Sequence, residues 1–356
     1  MKHLKKIKLL IIILTLIVNV KEYAQIQTDN IAFQKDVNKR GAAAGAMLGI
    51  GIGARAEAMG GTFVSIADDP TALYWNPAGI AQISSISLQV TNSTWFVETD
   101  FSAVDLVVPL TSMNSSLGFH IAMLDYGKNP VRTVERPNGT GEKYSAFDFV
   151  AGLYWAYAIT DRVFTGLGVK YFNQSIWHVS GSVVAFDLSI LFKTPVEGLN
   201  LGGALSNFGP DFQLAGRDLT TVMDIDGRKD LFQNRDNVPV NIETETYPLP
   251  LLFRFGISYE YELNKKNSVL FASNLNHDSN NKETVDFGFE GKIINSFFVR
   301  AGYQSLFADY SENGFVAGFG LKYKIFDSST ITFDYSYSDW GFFSSINRFS
   351  IGINAF

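Results

Sequence analysis

Across residues 83–356 apolar and polar side chains take turns in fourteen stretches of about 8–14 residues. Residues 315–325 show the pattern most clearly. Phe315, Ala317, Phe319, Leu321, Tyr323 and Ile325 fall on one side of an extended chain, and Val316, Gly318, Gly320, Lys322 and Lys324 on the other. Successive side chains of a strand point to opposite faces, so each stretch is apolar on one side and polar on the other. In a soluble sandwich the apolar side would face a second sheet. In an outer-membrane barrel it faces lipid, and the polar side faces a lumen.

The predicted strands lie at 83–92, 101–110, 115–126, 146–159, 163–175, 181–194, 199–208, 250–263, 268–277, 283–293, 296–305, 314–325, 329–338 and 344–355. The gaps between them decide between the two architectures. After the even strands the connections are short (111–114, 160–162, 195–198, 264–267, 294–295 and 326–328). After the odd strands they are longer on the whole, and 127–145 and 209–249 are very long. Short turns at one end and long loops at the other are the asymmetry of outer-membrane barrels; a sandwich has no reason to sort its loops by parity. The aromatic content, with 30 Phe and 15 Tyr, suits a barrel with aromatic girdles. Beyond the N-terminus no apolar run is long enough for a transmembrane helix. The expected fold is therefore all-β: a fourteen-stranded antiparallel transmembrane barrel with both ends on the periplasmic side. In lipid every backbone polar group needs a partner, so the first and last strands must pair. The terminal Phe356 fits the aromatic last residue usual in such barrels, although it is out of phase with Phe349, Ile351 and Ile353.

The start of the chain reads as an export signal. Lys2, Lys5, Lys6 and Lys8 precede the apolar run 9–20, with cleavage expected after Ala24. Removing residues 1–24 leaves 24 basic against 34 acidic side chains, a net charge of −10, which argues against a nucleic-acid partner. There are no cysteines, so disulfides, thiolate metal sites and a lipidated cysteine are excluded.

Residues 25–82 do not follow the strand pattern. A polar, aperiodic arm (25–41) leads into a stretch of small residues, then a short strand expected at 63–66 and two short helices. Asp69 before Pro70 reads as a helix cap with proline in the first turn, and Asn76–Pro77 repeats the signal. The segment is too small to fold alone and is predicted to plug the barrel, giving three parts: signal 1–24, arm and hatch 25–82, and barrel 83–356.

Several patterns that could carry chemistry have simpler readings. Gly51-Ile52-Gly53-Ala54-Arg55-Ala56 fits a loose dinucleotide loop, but the parallel sheet that motif needs is missing. Asp224, Asp226 and Asp230 have calcium-like spacing, yet Arg228, Lys229 and Arg235 neutralise them. The four histidines are scattered, and His120 falls on the polar phase of the third strand. No cofactor, metal or enzymatic site is expected. On the polar phases lie Asp148, Lys170, Asp187, Arg254, Glu260, Asp286, Glu290, Arg300, Lys322, Lys324 and Asp334, a mixture of signs suited to ion pairs between wall and plug.

Residues 51–81, GIGARAEAMGGTFVSIADDPTALYWNPAGIA, resemble the N-terminal signature of the PorV/PorQ family of Bacteroidetes outer-membrane proteins, which is related to the FadL long-chain fatty-acid transporters. The hatch motif comprises Arg55, Gly60, Gly61, Asp68, Asp69, Trp75, Asn76, Pro77 and Gly79, and residues 201–209 look like a second recurrent stretch. The resemblance implies a FadL-like barrel with an N-terminal hatch. It also implies two functional readings. PorV-type members serve type IX secretion by binding the C-terminal domain of secreted cargo, or a large translocon barrel. FadL-type members pass hydrophobic small molecules. The favoured expectation is protein binding through the two long loops, because Arg55 is the only basic side chain between positions 41 and 82 and offers no carboxylate-binding cluster for a fatty acid. Passive transport of a hydrophobic ligand is the alternative.

Overall fold

The computed structural model describes residues 41–224, 238–308, 311, 312, 314–326, 329–343 and 345–355. The expected signal, most of the arm, most of the calcium-like loop and Phe356 lie outside the described residues.

Fourteen strands form the wall: β1 (Ile86–Thr94), β2 (Asp100–Leu110), β3 (Ser115–Pro130), β4 (Lys143–Ala158), β5 (Val163–Ile176), β6 (Val179–Lys193), β7 (Leu199–Phe208), β8 (Leu252–Asn264), β9 (Asn267–Asp278), β10 (Thr284–Ile293), β11 (Phe297–Leu306), β12 (Phe315–Phe326), β13 (Ser329–Asp339) and β14 (Ser345–Ala355). Each pairs antiparallel with its neighbours in sequence. β1 closes the ring on β14, with Val90 opposite Ile351 and Leu88 opposite Ile353. Closure gives the backbone groups of both outermost strands a partner.

Burial along the strands is inverted relative to a soluble protein. On β1 the polar Ser87, Gln89, Thr91 and Ser93 are buried, while Ile86, Leu88 and Val90 are exposed. On β14 Arg348 and Ser350 are buried, whereas Phe349, Ile351 and Ile353 stand 46%, 52% and 42% exposed. A continuous outer belt of this kind cannot face water, so the barrel is an integral membrane protein of the outer-membrane type. Aromatic ladders run across it, as in the Phe319–Tyr335–Phe349 series with ring centroids 5.4 and 5.2 Å apart.

Inside the ring sits residues 41–82. A 3-10 turn (Ala46–Gly49) leads to helix α1 (Ala54–Ala58), then turns, helix α2 (Ala72–Trp75) and a second 3-10 helix (Pro77–Gln82). Phe63, Met59, Leu73 and Ile80 are fully buried there. Each such burial contributes about 1.5–3 kcal/mol.

Two expectations need correction. Residues 63–66 form turns and not a strand, because the segment has no neighbouring edge to pair with and Ala67 N–H returns to the Phe63 carbonyl at 3.0 Å. The second helix starts at Ala72, two residues after the proline, preceded by i→i+3 bonds from Ala72 to Asp69 and Leu73 to Pro70. Helix α1 was not anticipated. The two long loops are also more structured than expected. β3 and β4 continue past a register shift between Asp125 and Lys128, so that Pro130 still faces Lys143. Within 209–249, residues Thr220–Met223 pair with Val238–Asn241, and Ala215–Gly216 adds to the outer end of β6. The glycines of β7 allow a close approach of the hatch: a Cβ at Gly202 would stand 2.1 Å from the Val64 carbonyl oxygen.

Candidate functional site: a hatch between two chambers

The hatch divides the lumen. On the long-loop side lies a chamber of about 820 Å³, floored by Gly51, Glu57, Gly60, Gly61, Tyr74 and Trp75 and walled by Trp95, Phe96, Trp340 and Arg254 among others. On the short-turn side a chamber of about 520 Å³ is lined by Arg55, Asp68, Asp69, Glu260, Glu290, Lys322 and Asp334. The two share no lining residue. The hatch stands between them, and the strand ring around both is complete.

Arg55, on α1, holds the hatch to the wall. Its Nε and Nη2 donate to both oxygens of Glu290, each at 3.0 Å, and its Nη1 donates to Asp68 at 2.6 Å and Asp69 at 3.4 Å. Glu290 on β10 also accepts from Arg300 Nε at 2.6 Å, and Arg300 Nη1 donates to Asp334 at 2.6 Å. Three strands and the hatch thus share one alternating chain of charge. Bidentate guanidinium–carboxylate pairs of this kind fix orientation as well as adding attraction. Burial pushes the Asp69 carboxyl up to about 6, with Arg55 pulling the other way and Asp68 adding to the rise.

The remaining motif residues shape the hatch backbone. Asn76 donates from Nδ2 to the Val64 carbonyl at 2.7 Å and to the Ile190 carbonyl of β6 at 3.0 Å, while its Oδ1 accepts from Ala78 N–H. Pro77 opens the second 3-10 helix, and Gly79 is buried within it. Gly60 and Gly61 take positive φ of 70° and 73°, a region that disfavours a side chain, so that the chain reverses after α1. There Asn274 of β9 donates to the Gly61 carbonyl at 2.8 Å. Trp75 donates to the Ile52 carbonyl at 2.8 Å and meets Tyr74 edge-on.

The structure brings together Arg55, Asp68, Asp69, Glu290, Lys322 and Asp334 around the lower chamber, with Glu260 at its edge accepting from Lys292 at 3.3 Å. Arg254 and Asp286 belong to the other chamber. Sequence reading missed Glu57 and Arg348, a buried pair at 3.0 Å that ties α1 to β14. Arg348 lies on the inward phase of its strand and was accessible to the same alternation rule; Glu57, on a five-residue helix, had no periodic signal. Also missed was Asp105, which pairs with His120 at 2.7 Å inside the wall.

A third, apolar depression of about 580 Å³ lies on the lipid side of β3–β7, between residues such as Trp155, Leu167, Phe186 and Phe208. Its floor is Tyr154, which also lines a small internal void beside Lys170 and His120. Here the β6–β7 ladder shifts register between Phe186 and Leu188, and Asn207 takes φ 67°.

No protein-family model and no curated protein matches the chain. Solved structures do match. The CymD monoaromatic hydrocarbon channel superposes with a TM-score of 0.54 at 12% identity, over 86% of this chain and 98% of that one. The Ralstonia pickettii toluene transporter TbuX gives 0.52 at 14%, over 85% and 97%, and the Pseudomonas putida toluene transporter TodX gives the same values. At such identities the likeness concerns the fold: a closed FadL-like barrel of fourteen strands enclosing a hatch of short helices.

Proposed function

We propose that this barrel is an outer-membrane conduit for small hydrophobic molecules, which enter the long-loop chamber and leave when the hatch shifts. The observation that carries this reading is the aromatic chamber seated directly on the hatch, with Tyr74 and Trp75 of the hatch forming part of its lining. The fold shared with a monoaromatic hydrocarbon channel and two toluene transporters supports it. The apolar depression over Tyr154 offers a lateral way into the bilayer, at the joint where the β6–β7 ladder is irregular. In this reading residues 1–24 direct export, 25–82 form arm and hatch, and both ends of the barrel lie in the periplasm. The hatch-motif residues hold the closed state through the Arg55 chain of charges.

The test is uptake of radiolabelled toluene by cells that carry the barrel in an outer membrane lacking related channels. Faster entry than in barrel-free cells is expected. Equal entry rejects the reading.

A second reading, binding of secreted cargo or of a translocon barrel in type IX secretion, is favoured by the resemblance of residues 51–81 and by the ribbon above the barrel. Val222 and Met223 on that ribbon are 61% and 57% exposed. Deleting residues 215–242 should then abolish co-purification of cargo or translocon while leaving a folded barrel. Retained co-purification argues against it.

A further inference from the structure

Resting on the small-molecule reading, we infer that the long-loop chamber selects aromatic carboxylates, a narrower and more polar class than the neutral hydrocarbons named for the similar structures. The argument begins with Arg254 on β8. Its residue is 6% exposed, and its guanidinium carbon lies 4.8 Å from the Tyr74 ring centroid and 5.1 Å from that of Trp75. Nη2 donates to the Tyr74 hydroxyl at 2.9 Å, whereas the buried Nη1 has no hydrogen-bond partner. No carboxylate among the described residues pairs with it at ion-pair distance. Among the described residues the other buried arginines of the lumen are neutralised: Arg300 by Glu290 and Asp334, and Arg348 by Glu57.

Two more buried donors of the same chamber are unpartnered, Nε of Arg348 and the indole Nε1 of Trp340. All three orphans are donors, two of them on guanidinium groups. No acid that lines the chamber accepts a hydrogen bond from Arg254 Nη1. Glu57 is held by Arg348, and Asp286 accepts from the Ser305 N–H at 2.6 Å and Asn276 Nδ2 at 2.5 Å. Asp278 and Asp286 line the same chamber and attract Arg254 through space, but neither reaches ion-pair distance or accepts from its Nη1. An unmade buried hydrogen bond to a charged group is costly. A ligand carboxylate supplies the missing acceptor in a charged hydrogen bond.

The body of the ligand follows from the walls. Trp95, Phe96 and Trp340 meet edge to face, with centroids 5.0 and 5.6 Å between Trp340 and the other two, and Arg348 lies 5.0 Å from the Trp95 ring. Such a cluster presents ring faces and edges to an incoming aromatic ring, which prefers those geometries. An aryl group against this cluster places a carboxylate beside the Arg254 guanidinium, whose buried Nη1 turns toward the chamber to meet it.

The test is equilibrium dialysis of 3-phenylpropionate and its neutral amide against the full barrel in detergent micelles, with empty micelles subtracted. Wild type is expected to bind the acid about tenfold or more tightly than the amide, in line with a charged hydrogen bond. Arg254→Gln should erase that preference, and Arg254→Lys should retain part of it. Equal binding of acid and amide by wild type overturns the inference and leaves the conduit reading standing, as does a preference that survives in R254Q. Binding of neither probe overturns both. The wild-type comparison decides by itself if the variants fail to fold.

Discussion

At the scale of single residues, the hatch is held by few groups, and Glu290 is the most exacting of them. It faces two arginines at once, so Glu290→Gln leaves both guanidinium groups underserved in a buried site, a change that costs about 3–5 kcal/mol when a buried pair loses one partner. The expected result is faster hydrogen exchange across residues 54–82, with the barrel strands unchanged. Exchange as slow as wild type would show that the apolar packing of Phe63, Leu73 and Ile80 suffices. Asp69 adds a pH dependence whose sign is fixed. Its carboxyl titrates near 6 in the folded hatch against about 3.9 in an unfolded chain, so its contribution favours the folded state below the lower value and is lost as pH rises through 6. The hatch should therefore loosen between about pH 4 and 6, read as earlier thermal release of residues 41–82, and Asp69→Asn should flatten that slope.

At the scale of elements, β7 meets the hatch backbone more closely than a side chain allows. Gly202→Val would drive a Cβ against the Val64 carbonyl, so the barrel should insert while the hatch becomes sensitive to added protease. Protection equal to wild type would show that the Val64 turn can yield. The same strand shows how far sequence carries. All fourteen wall strands were legible to within a few residues, because lipid outside and polar groups inside impose a period of two on every one of them. Trp75 and Asn76 were legible as the end of one helix and the cap of the next, since Asn-Pro chemistry is local. The turns at 63–66 and helix α1 were not. Their conformation is set by hydrogen bonds to Ser350, Asn274 and Ser258, contributed by strands some 190 to 300 positions away. The two chambers were equally hidden. Arg254 and Arg300 both sit on the polar phase of a strand, and cross-strand register separates them: Arg300 stands opposite Glu290, whereas Arg254 stands opposite Asn276 and Ala204.

At the scale of the molecule, the two sides of the wall should answer the same substitution differently. Ile351 points outward near the middle of the β1–β14 seam, so Ile351→Arg should cost about 2–4 kcal/mol in folding into lipid vesicles. Thr332, on the inward phase and lining the lower chamber, should tolerate Lys with a smaller loss. Comparable losses at the two positions, measured by denaturant titration in vesicles, would contradict an outer surface that faces hydrocarbon.

The pairing of β1 with β14 also dictates a timetable. The cylinder cannot shut until its last strand has been delivered, and the segment it encloses is made before any part of the wall. The stopper must therefore be gathered in ahead of the final seam, while a large oily ribbon waits unpartnered. A chain of this design depends on escorts that keep that ribbon from clumping until the circle is complete.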